Sequence, residues 1–147
     1  MRNPLLSVLI CTSLLATAPV FANGASELDV DYAEHLPLVT ESMLLDITRA
    51  GDRLVAVGEI GHVILSENGE DWTQAEVVPT RATLTAVRFD GASRGWAVGH
   101  EATVISTTDG GSSWTLTHHR PGEDLPLLDV WVADDGLGFA VGAYGTV

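Results

Sequence analysis

The chain contains no lysine, and its seven basic residues, all arginine, stand against 20 acidic residues, which gives a formal net charge of −13. Nucleic acids and anionic membrane surfaces bind proteins through clusters of basic side chains. We therefore expect neither a nucleic acid nor an anionic membrane surface as a partner. An acidic surface keeps an exported protein in solution, and it is compatible with cations or basic proteins as partners.

Cysteine is almost absent too, since Cys11 is the only one and lies near the amino terminus. The first 22 residues have the pattern of a signal peptide, with Arg2, an apolar stretch over 5–18 and a small-residue site that ends at Ala22. The apolar stretch is shorter than the ~20 residues of a membrane-spanning helix. We expect cleavage near Ala22, export to the periplasm or the medium, and a mature chain without disulfides.

No stretch after this leader has the 3.6-residue apolar period of an amphipathic helix. Instead, one eight-residue phrase occurs three times, as AVGEIGHV from Ala56, AVGHEATV from Ala97 and AVGAYGTV from Ala140. The spacings of 41 and 43 residues agree with the period of about 40–50 residues that propeller blades have. Short apolar runs broken by glycine, aspartate and asparagine further indicate strands that are joined by tight turns.

The repeat predicts an all-β fold, a β-propeller of four-stranded blades of which the chain holds about two and a half. We expect it to be a fragment of a larger propeller, and a small sandwich complete in itself is the alternative. The predicted order is a signal peptide at 1–22, an N-terminal linker or closing strand at 23–42 with a strand near 35–40, blade 1 at 43–81, blade 2 at 82–123 and a partial blade 3 at 124–147.

A polar turn motif follows the third predicted strand of each of the first two repeats. In the second repeat it fits the Asp-box pattern S/T-x-D-x-G-x-x-W through Thr107, Asp109, Gly111 and Trp114. In the first repeat it is one residue shorter and has Asn in place of Asp, with Ser66, Asn68, Gly69 and Trp72. The hydroxyl and carboxylate can hydrogen-bond to the turn backbone, and the glycine permits a conformation closed to other residues. The tryptophan can pack under the turn. The motif therefore predicts two structural hairpins.

The combination of GWAVG (Gly95–Gly99) with STTDGGSSW (Ser106–Trp114) resembles the BNR/Asp-box repeat proteins. It is most similar to the photosystem II stability/assembly factor family and its exported bacterial relatives, over residues 44–147. The resemblance implies a β-propeller, seven-bladed when complete, that is not an enzyme and binds a protein partner in a membrane or envelope complex. The phototrophic members are similar in using a basic, arginine-rich face, and this acidic chain departs from that pattern.

Asp-box proteins also include sialidases and other glycosidases, so a carbohydrate-active propeller with its active site on blades outside this chain is the alternative function. Sialidase-like chemistry needs an arginine cluster, a tyrosine nucleophile with a carboxylate partner, and an acid. The sequence offers only Tyr32 and Tyr144. We therefore predict no catalytic residues, no cofactor and no bound metal.

Several further residues have side chains that can act as ligands or binding groups. His118 and His119 lie at the end of a predicted outer strand, where adjacent side chains point to opposite faces, so we expect no shared metal site from this pair. Glu59 and Glu101 follow the second strand of their repeats, where we expect a solvated loop; a carboxylate cluster that binds calcium or a basic peptide at the propeller mouth is the alternative. The four tryptophans are predicted to lie in the core: Trp72, Trp96, Trp114 and Trp131.

Overall fold

The computed structural model describes residues 30–133 and 137–147, so the predicted signal peptide lies outside the described part. Each of the first two repeats forms a four-stranded antiparallel sheet, and the third contributes a two-stranded one. Blade 1 consists of β1 (Leu44–Ala50), β2 (Arg53–Gly58), β3 (Val63–Ser66) and β4 (Thr73–Gln74); blade 2 of β5 (Leu84–Asp90), β6 (Arg94–Gly99), β7 (Val104–Thr107) and β8 (Thr115–His118); blade 3 of β9 (Leu127–Val132) and β10 (Gly138–Gly142). The all-β propeller architecture that the repeat predicts is confirmed.

The sequence predicts an outer strand of blade 1 over 72–78, but β4 covers only Thr73–Gln74. After Gln74 the chain leaves its own sheet and runs along blade 2, where the Glu76 amide donates to Ser112 O at 2.8 Å and the Trp114 amide donates to Val77 O at 2.9 Å. Backbone donors that could have extended β4 are thus used between the blades. The sequence pattern indicates an extended segment, but not which sheet it pairs with.

The predicted strand near 35–40 is wrong, because that region forms a turn followed by a one-turn 3₁₀ helix, Val39–Glu41. The preceding residues follow the outer side of blade 1, where the Ala33 amide donates to Val78 O at 2.9 Å and the Leu36 amide donates to the Gln74 side chain at 3.1 Å. Pro37 has no amide hydrogen for a sheet ladder. The N-terminal segment therefore wraps around blade 1 without joining its sheet. No helix in the described ranges is long and apolar enough to cross a membrane.

Blades pack face to face, and we call the face toward the next blade the forward face and the opposite one the backward face. A cluster of buried side chains joins the forward face of blade 1 to the backward face of blade 2: Val55, Val57, Val63 and Leu65 with Leu84, Val87, Ala97 and Ile105. A second cluster joins blades 2 and 3 in the same way: Ala86 and Val98 with Leu127 and Val130. On the backward face of blade 1, Val39 of the N-terminal segment packs on Ala56 and Ile64.

In each blade, the glycine of the AVG phrase lies against the backbone segment that leads into the first strand of that blade. A Cβ at Gly99 would lie 2.1 Å from Thr83 O, and one at Gly58 would lie 2.1 Å from Met43 O. Gly58 has an extended backbone with φ −168°, so the close approach rather than its conformation requires glycine. The repeated phrase thus records one packing contact that recurs in each blade.

Candidate functional site

The innermost strands of the three blades, β1, β5 and β9, lie side by side, with β5 in contact with both neighbours. Each strand carries a β-bulge one residue after its first residue, and the extra residues are Leu45, Thr85 and Leu128. The bulge turns the leucine before it and the residue two after it toward the same face, as Leu84 and Val87 show. Leu45 and Leu128 are left 44% and 55% exposed.

Arg88 joins the three innermost strands. Its Nη1 donates to Asp46 Oδ2 of blade 1 at 2.6 Å, and its Nη2 donates to Asp129 Oδ1 of blade 3 at 3.2 Å. Asp46 Oδ2 also accepts the amide hydrogen of Val87 at 2.9 Å. The Arg88 guanidinium therefore bridges two carboxylates, one from each of the blades on either side of blade 2. These ion pairs join the three strands that face the propeller axis.

We define the inner-strand surface as Leu45, Asp46, Arg88, Leu128 and Asp129. Its two leucines are exposed, and the side chain of Asp129 is 57% exposed although it contacts Arg88. Apolar side chains beside carboxylates suit a protein segment that carries both apolar and basic residues. Asp46 and Asp129 are carboxylates, the type of nucleophile that covalent glycosidases use. Both are already paired with Arg88.

Glu59 and Glu101, the candidates for a carboxylate cluster, hydrogen-bond to different backbone segments. Glu59 Oε1 accepts the Met43 amide hydrogen at 2.8 Å, whereas Glu101 Oε2 lies 2.9 Å from His119 Nε2 and its Oε1 accepts the Gly122 amide hydrogen at 3.2 Å. The hydrogen bond from His119, followed by that from Gly122, lowers the pKa of Glu101. Each glutamate thus holds a local connector. Within 30–133 and 137–147, no three His, Cys, Asp or Glu side chains lie close enough to hold a metal.

The second Asp-box turn lies at the opposite end of blade 2. Thr107 Oγ1 donates to Asp109 Oδ1 at 2.8 Å and accepts the Gly111 amide hydrogen at 3.2 Å, while Asp109 Oδ1 accepts the Ser113 amide hydrogen at 2.9 Å. Gly111 has φ +88°, in the region that favours glycine. The indole Nε1 of Trp114, which is buried, donates to Gly111 O at 2.9 Å. These contacts lock the hairpin and engage the Asp109 carboxylate within the turn.

The first Asp-box turn uses asparagine to the same effect. Ser66 Oγ accepts the Gly69 amide hydrogen at 2.8 Å, and Asn68 Oδ1 accepts the amide hydrogens of Glu70 and Asp71, each at 2.9 Å. The tryptophan of this turn, Trp72, is half-buried against the cluster that includes Val39. An amide oxygen therefore replaces the carboxylate oxygen as the acceptor of the turn.

Arg53 connects the two turns across the blade boundary. Its Nε donates to Glu67 Oε1 at 2.7 Å and its Nη1 donates to Ser112 Oγ at 3.0 Å. A cavity of 540 Å³ lies beside this contact and is lined by Glu67, Asp71 and other polar residues. The polar lining and the paired arginine indicate a solvated groove rather than an apolar ligand pocket.

The tryptophan prediction is correct for Trp114 and wrong for Trp131. Trp131 lies on β9 and is 58% exposed, stacked on Phe139 of β10 with ring centroids 6.4 Å apart. Trp96, one blade earlier, packs against the residues of blade 3. Because the forward face of blade 3 has no neighbour in the described part of the chain, its aromatic residues remain at the surface.

The sequence marks Arg88 only indirectly, since the triplet Leu45-Asp46-Ile47 of the first repeat recurs in similar form as Leu128-Asp129-Val130 in the third. Thr48 and Trp131 occupy the positions that correspond to Arg88 in the other blades. A lone arginine at a variable repeat position carries no signal by itself. The two flanking aspartates at one repeat position were the available hint.

The sequence profile of the family described as photosynthesis system II assembly factor YCF48 matches residues 64–142. The chain belongs to the YCF48 family. No curated protein gives a significant match to it. A solved structure described as "YCF48 bound to D1 peptide" superposes with a TM-score of 0.60 at 22% sequence identity, over 71% of this chain and 34% of that one. The chain thus spans about a third of the length of that YCF48 structure.

Family membership confirms the resemblance that the AVG and Asp-box motifs indicate. The structural likeness confirms the propeller fold. The matched residues begin inside β3 and end with β10, so they include Arg88 and Asp129 of the inner-strand surface.

Proposed function

We propose that this YCF48-family chain is a non-enzymatic propeller that binds a segment of another protein and assists the assembly or stability of a membrane or envelope complex. The observation that carries the proposal is the family match over residues 64–142. The related YCF48 structure is described as bound to a peptide, which supports a protein segment as the ligand class.

The inner-strand surface is the proposed contact. Leu45 and Leu128 offer exposed apolar groups, and Asp129 offers a largely exposed carboxylate between blades 2 and 3. The formal charge of −13 favours a partner segment that carries lysine or arginine. A basic side chain of the partner would compete with Arg88 for Asp129, so binding would exchange one ion pair for another.

Affinity capture from membranes of the native host tests this proposal. The tagged wild type, Leu128→Asp and Asp129→Arg are compared with Val77→Asp, which alters an exposed valine outside the inner-strand surface. We expect one membrane protein to be enriched with the wild type and with Val77→Asp. Its recovery should fall at least about tenfold with the two surface variants, a change in affinity that corresponds to about 1.4 kcal/mol. Equal recovery with all four proteins would reject the surface, and no enriched protein would reject the function.

Export to the periplasm or the medium is part of the proposal, and its support is the leader pattern that ends at Ala22. Cell fractionation with mass spectrometry of the N-terminus measures it. The expected result is a mature chain that begins at Asn23 in the periplasmic or secreted fraction. An intact N-terminus in the cytoplasm would contradict export without bearing on partner binding.

A further inference from the structure

The first Asp-box turn contains an asparagine that is followed directly by a glycine, Asn68-Gly69. The side-chain carbonyl of an asparagine can be attacked by the amide nitrogen of the next residue. Glycine favours this reaction because it has no Cβ to shield the nitrogen and adopts many backbone conformations. Both residues are exposed, and a Cβ at Gly69 would meet only Leu54 Cδ1, at 3.7 Å. The surroundings of the pair therefore leave room for a ring to close.

Hydrogen bonds hold both reacting groups in the folded turn. The Gly69 amide, which would be the nucleophile, donates to Ser66 Oγ at 2.8 Å. Asn68 Oδ1, on the carbon that would be attacked, accepts the amide hydrogens of Glu70 and Asp71, each at 2.9 Å. Ring closure needs the Gly69 nitrogen without its proton and a side chain that is free to turn. The turn must therefore open locally before the two groups can react.

We propose that Asn68 is a site of spontaneous deamidation and that the reaction is limited by opening of the first Asp-box turn. In the open turn the Gly69 nitrogen bonds to Asn68 Cγ, the Cγ–Nδ2 bond breaks, and the proton of the Gly69 amide leaves with Nδ2 as ammonia. Water then opens the imide ring. Cleavage of the bond from the Gly69 nitrogen to Cγ gives aspartate, and cleavage of its bond to the backbone carbonyl carbon gives isoaspartate. The water oxygen enters the new carboxyl group and one of its hydrogens returns to the nitrogen, so no oxidant or reductant takes part.

Either product weakens the turn. Asn68 Nδ2 donates to Asp71 Oδ2 at 2.9 Å, and deamidation replaces this donor with a carboxylate oxygen, so that two negative groups face each other. The second Asp-box turn avoids such a contact. There the carboxylate of Asp109 accepts a hydrogen bond from the hydroxyl of Ser113, which precedes the tryptophan of its turn as Asp71 does. Isoaspartate also adds a methylene group to the backbone of the turn.

Mass spectrometry of peptides from the full mature chain, incubated at mildly alkaline pH, measures deamidation at Asn68 separately from that at Asn23. The wild type is expected to react at least about tenfold more slowly in buffer than in urea, which opens the turn. Ser66→Ala removes the acceptor of the Gly69 amide hydrogen. It should speed the reaction of the folded protein about fivefold, which corresponds to about 1 kcal/mol for one hydrogen bond.

Two further variants separate opening of this turn from a general loss of stability. Ser66→Thr keeps a hydroxyl, as Thr107 does in the second turn, and should react at the wild-type rate. Thr107→Ala removes the equivalent hydroxyl from the second turn without altering the contacts of Asn68, and it should also react as the wild type does. Circular dichroism confirms folding. Where Ser66→Ala does not fold, the comparison of folded with unfolded wild type still decides whether the fold limits the reaction.

The variant Asn68→Asp reproduces the aspartate product. We expect it to have a lower Tm than the wild type, because its new carboxylate faces that of Asp71. Adding Asp71→Ser restores a pair of the kind that Asp109 and Ser113 form, and should recover most of the loss. Asp71→Ser alone completes the double-mutant cycle, in which the two substitutions should not be additive.

Four results would overturn the proposal. These are no deamidation at Asn68 in urea, equal rates in the folded and unfolded protein, a folded Ser66→Ala variant that reacts at the wild-type rate, and an Asn68→Asp variant at least as stable as the wild type.

Discussion

Asp109 shows how a single side chain organises a turn. Burial by itself would raise the pKa of its carboxyl, but hydrogen bonds from the Ser113 hydroxyl and amide, and from Thr107, outweigh that effect, so the pKa lies below its ordinary value of 3.8. The ionised form is therefore the one that the folded turn prefers. In blade 1, the neutral amide of Asn68 accepts the corresponding backbone hydrogen bonds.

We predict that Asp109→Ala lowers the free energy of unfolding by about 1 kcal/mol, because the exposed carboxylate accepts hydrogen bonds that are partly screened by water. Asp109→Asn should lose less, since asparagine serves this role at position 68. Urea denaturation measures both. An equal loss for the two variants would show that the negative charge, rather than the acceptor geometry, stabilises the turn.

The same carboxyl predicts an acid sensitivity of defined sign. A pKa lowered by folding contributes stability above the ordinary value of 3.8, and that contribution is lost as the pH falls toward the lower, folded pKa. Between about pH 4 and pH 2, wild-type stability should therefore fall more steeply than that of Asp109→Asn. Parallel curves in acid urea titrations would contradict the assignment.

His62 is the other residue whose protonation is coupled to folding. Its side chain is fully buried, and neither ring nitrogen has a hydrogen-bond partner among the described residues. Desolvation lowers its pKa, and the nearby carboxylate of Glu59 opposes this only in part. The folded protein therefore keeps the imidazole neutral under conditions in which the unfolded chain takes up a proton.

We predict that stability falls as the pH is lowered below the ordinary histidine value of 6.5, since the unfolded state then binds a proton that the folded state excludes. In His62→Thr, which carries the residue found at the equivalent position Thr103, the loss in Tm between about pH 7.5 and about pH 5.5 should be smaller. Thermal denaturation monitored by circular dichroism measures it. His118→Thr, at an exposed position, should behave as the wild type; a shift of equal size there would exclude His62 as the cause.

At the scale of a strand and its connector, the AVG glycines decide whether a blade can close. Gly99 ends β6, and the Thr83 carbonyl approaches it so closely that a Cβ there would lie 2.1 Å away. The same contact occurs at Gly142, where Pro126 O would lie 2.3 Å from a Cβ. The incoming connector and the outgoing turn therefore share one space in each blade.

We predict that Gly99→Ala lowers the free energy of unfolding by about 3 kcal/mol, because backbone atoms must move to admit the methyl group. Gly122→Ala is the control. It has φ +77° with nothing within 4 Å of its Cβ, so it should cost only about 1 kcal/mol for the backbone conformation. Similar losses for both variants, measured by urea denaturation, would show that the connector adjusts freely.

At the scale of the whole molecule, the balance of charge opposes folding. The formal net charge of −13 concentrates like charges in the compact state. The ion pairs of the described residues, such as Arg53 with Glu67 and Arg81 with Glu34, are partly exposed, and pairs of that kind contribute about 0–1 kcal/mol each. Repulsion among the excess carboxylates is therefore expected to exceed the attraction of the pairs.

We predict that Tm rises when sodium chloride is increased from about 0.05 M to about 0.5 M, because the screening length falls to a few ångströms. Scanning calorimetry at fixed pH measures the shift. The double variant Glu41→Gln with Glu70→Gln, at two exposed positions, should show a smaller rise because it carries less repulsion. A fall in Tm with salt would show that the ion pairs dominate instead.

The strands of the blade interiors could be predicted from the sequence with small errors. β2 and β3 read as apolar runs because both of their faces are covered, and the Asp-box residues that end β3 and β7 indicate hairpins from local chemistry alone. The outer strand β4 was predicted too long, since its extension pairs with blade 2 through Glu76 and Val77. Which sheet an extended segment joins is a long-range decision.

The candidate surface was predictable only in part. The triplets that contain Asp46 and Asp129 were visible as a repeat, but Arg88 contacts carboxylates 42 and 41 residues away, and no local pattern marks such a pair. Glu59 and Glu101 looked like a cluster because they occupy adjacent positions of the repeat. In the structure each is used by its own connector.

The amino-acid sequence by itself determined the repeat, the strand order within a blade and the turn chemistry, because these depend on periodicity and on residues a few positions apart. Tertiary structure alone decided which equivalent side chains are covered. Val57 and Val141 have the same residue type at the same repeat position, yet one is fully buried and the other is 45% exposed. The physical reason is that burial on a blade face is supplied by the neighbouring blade, about 40 residues away in the chain.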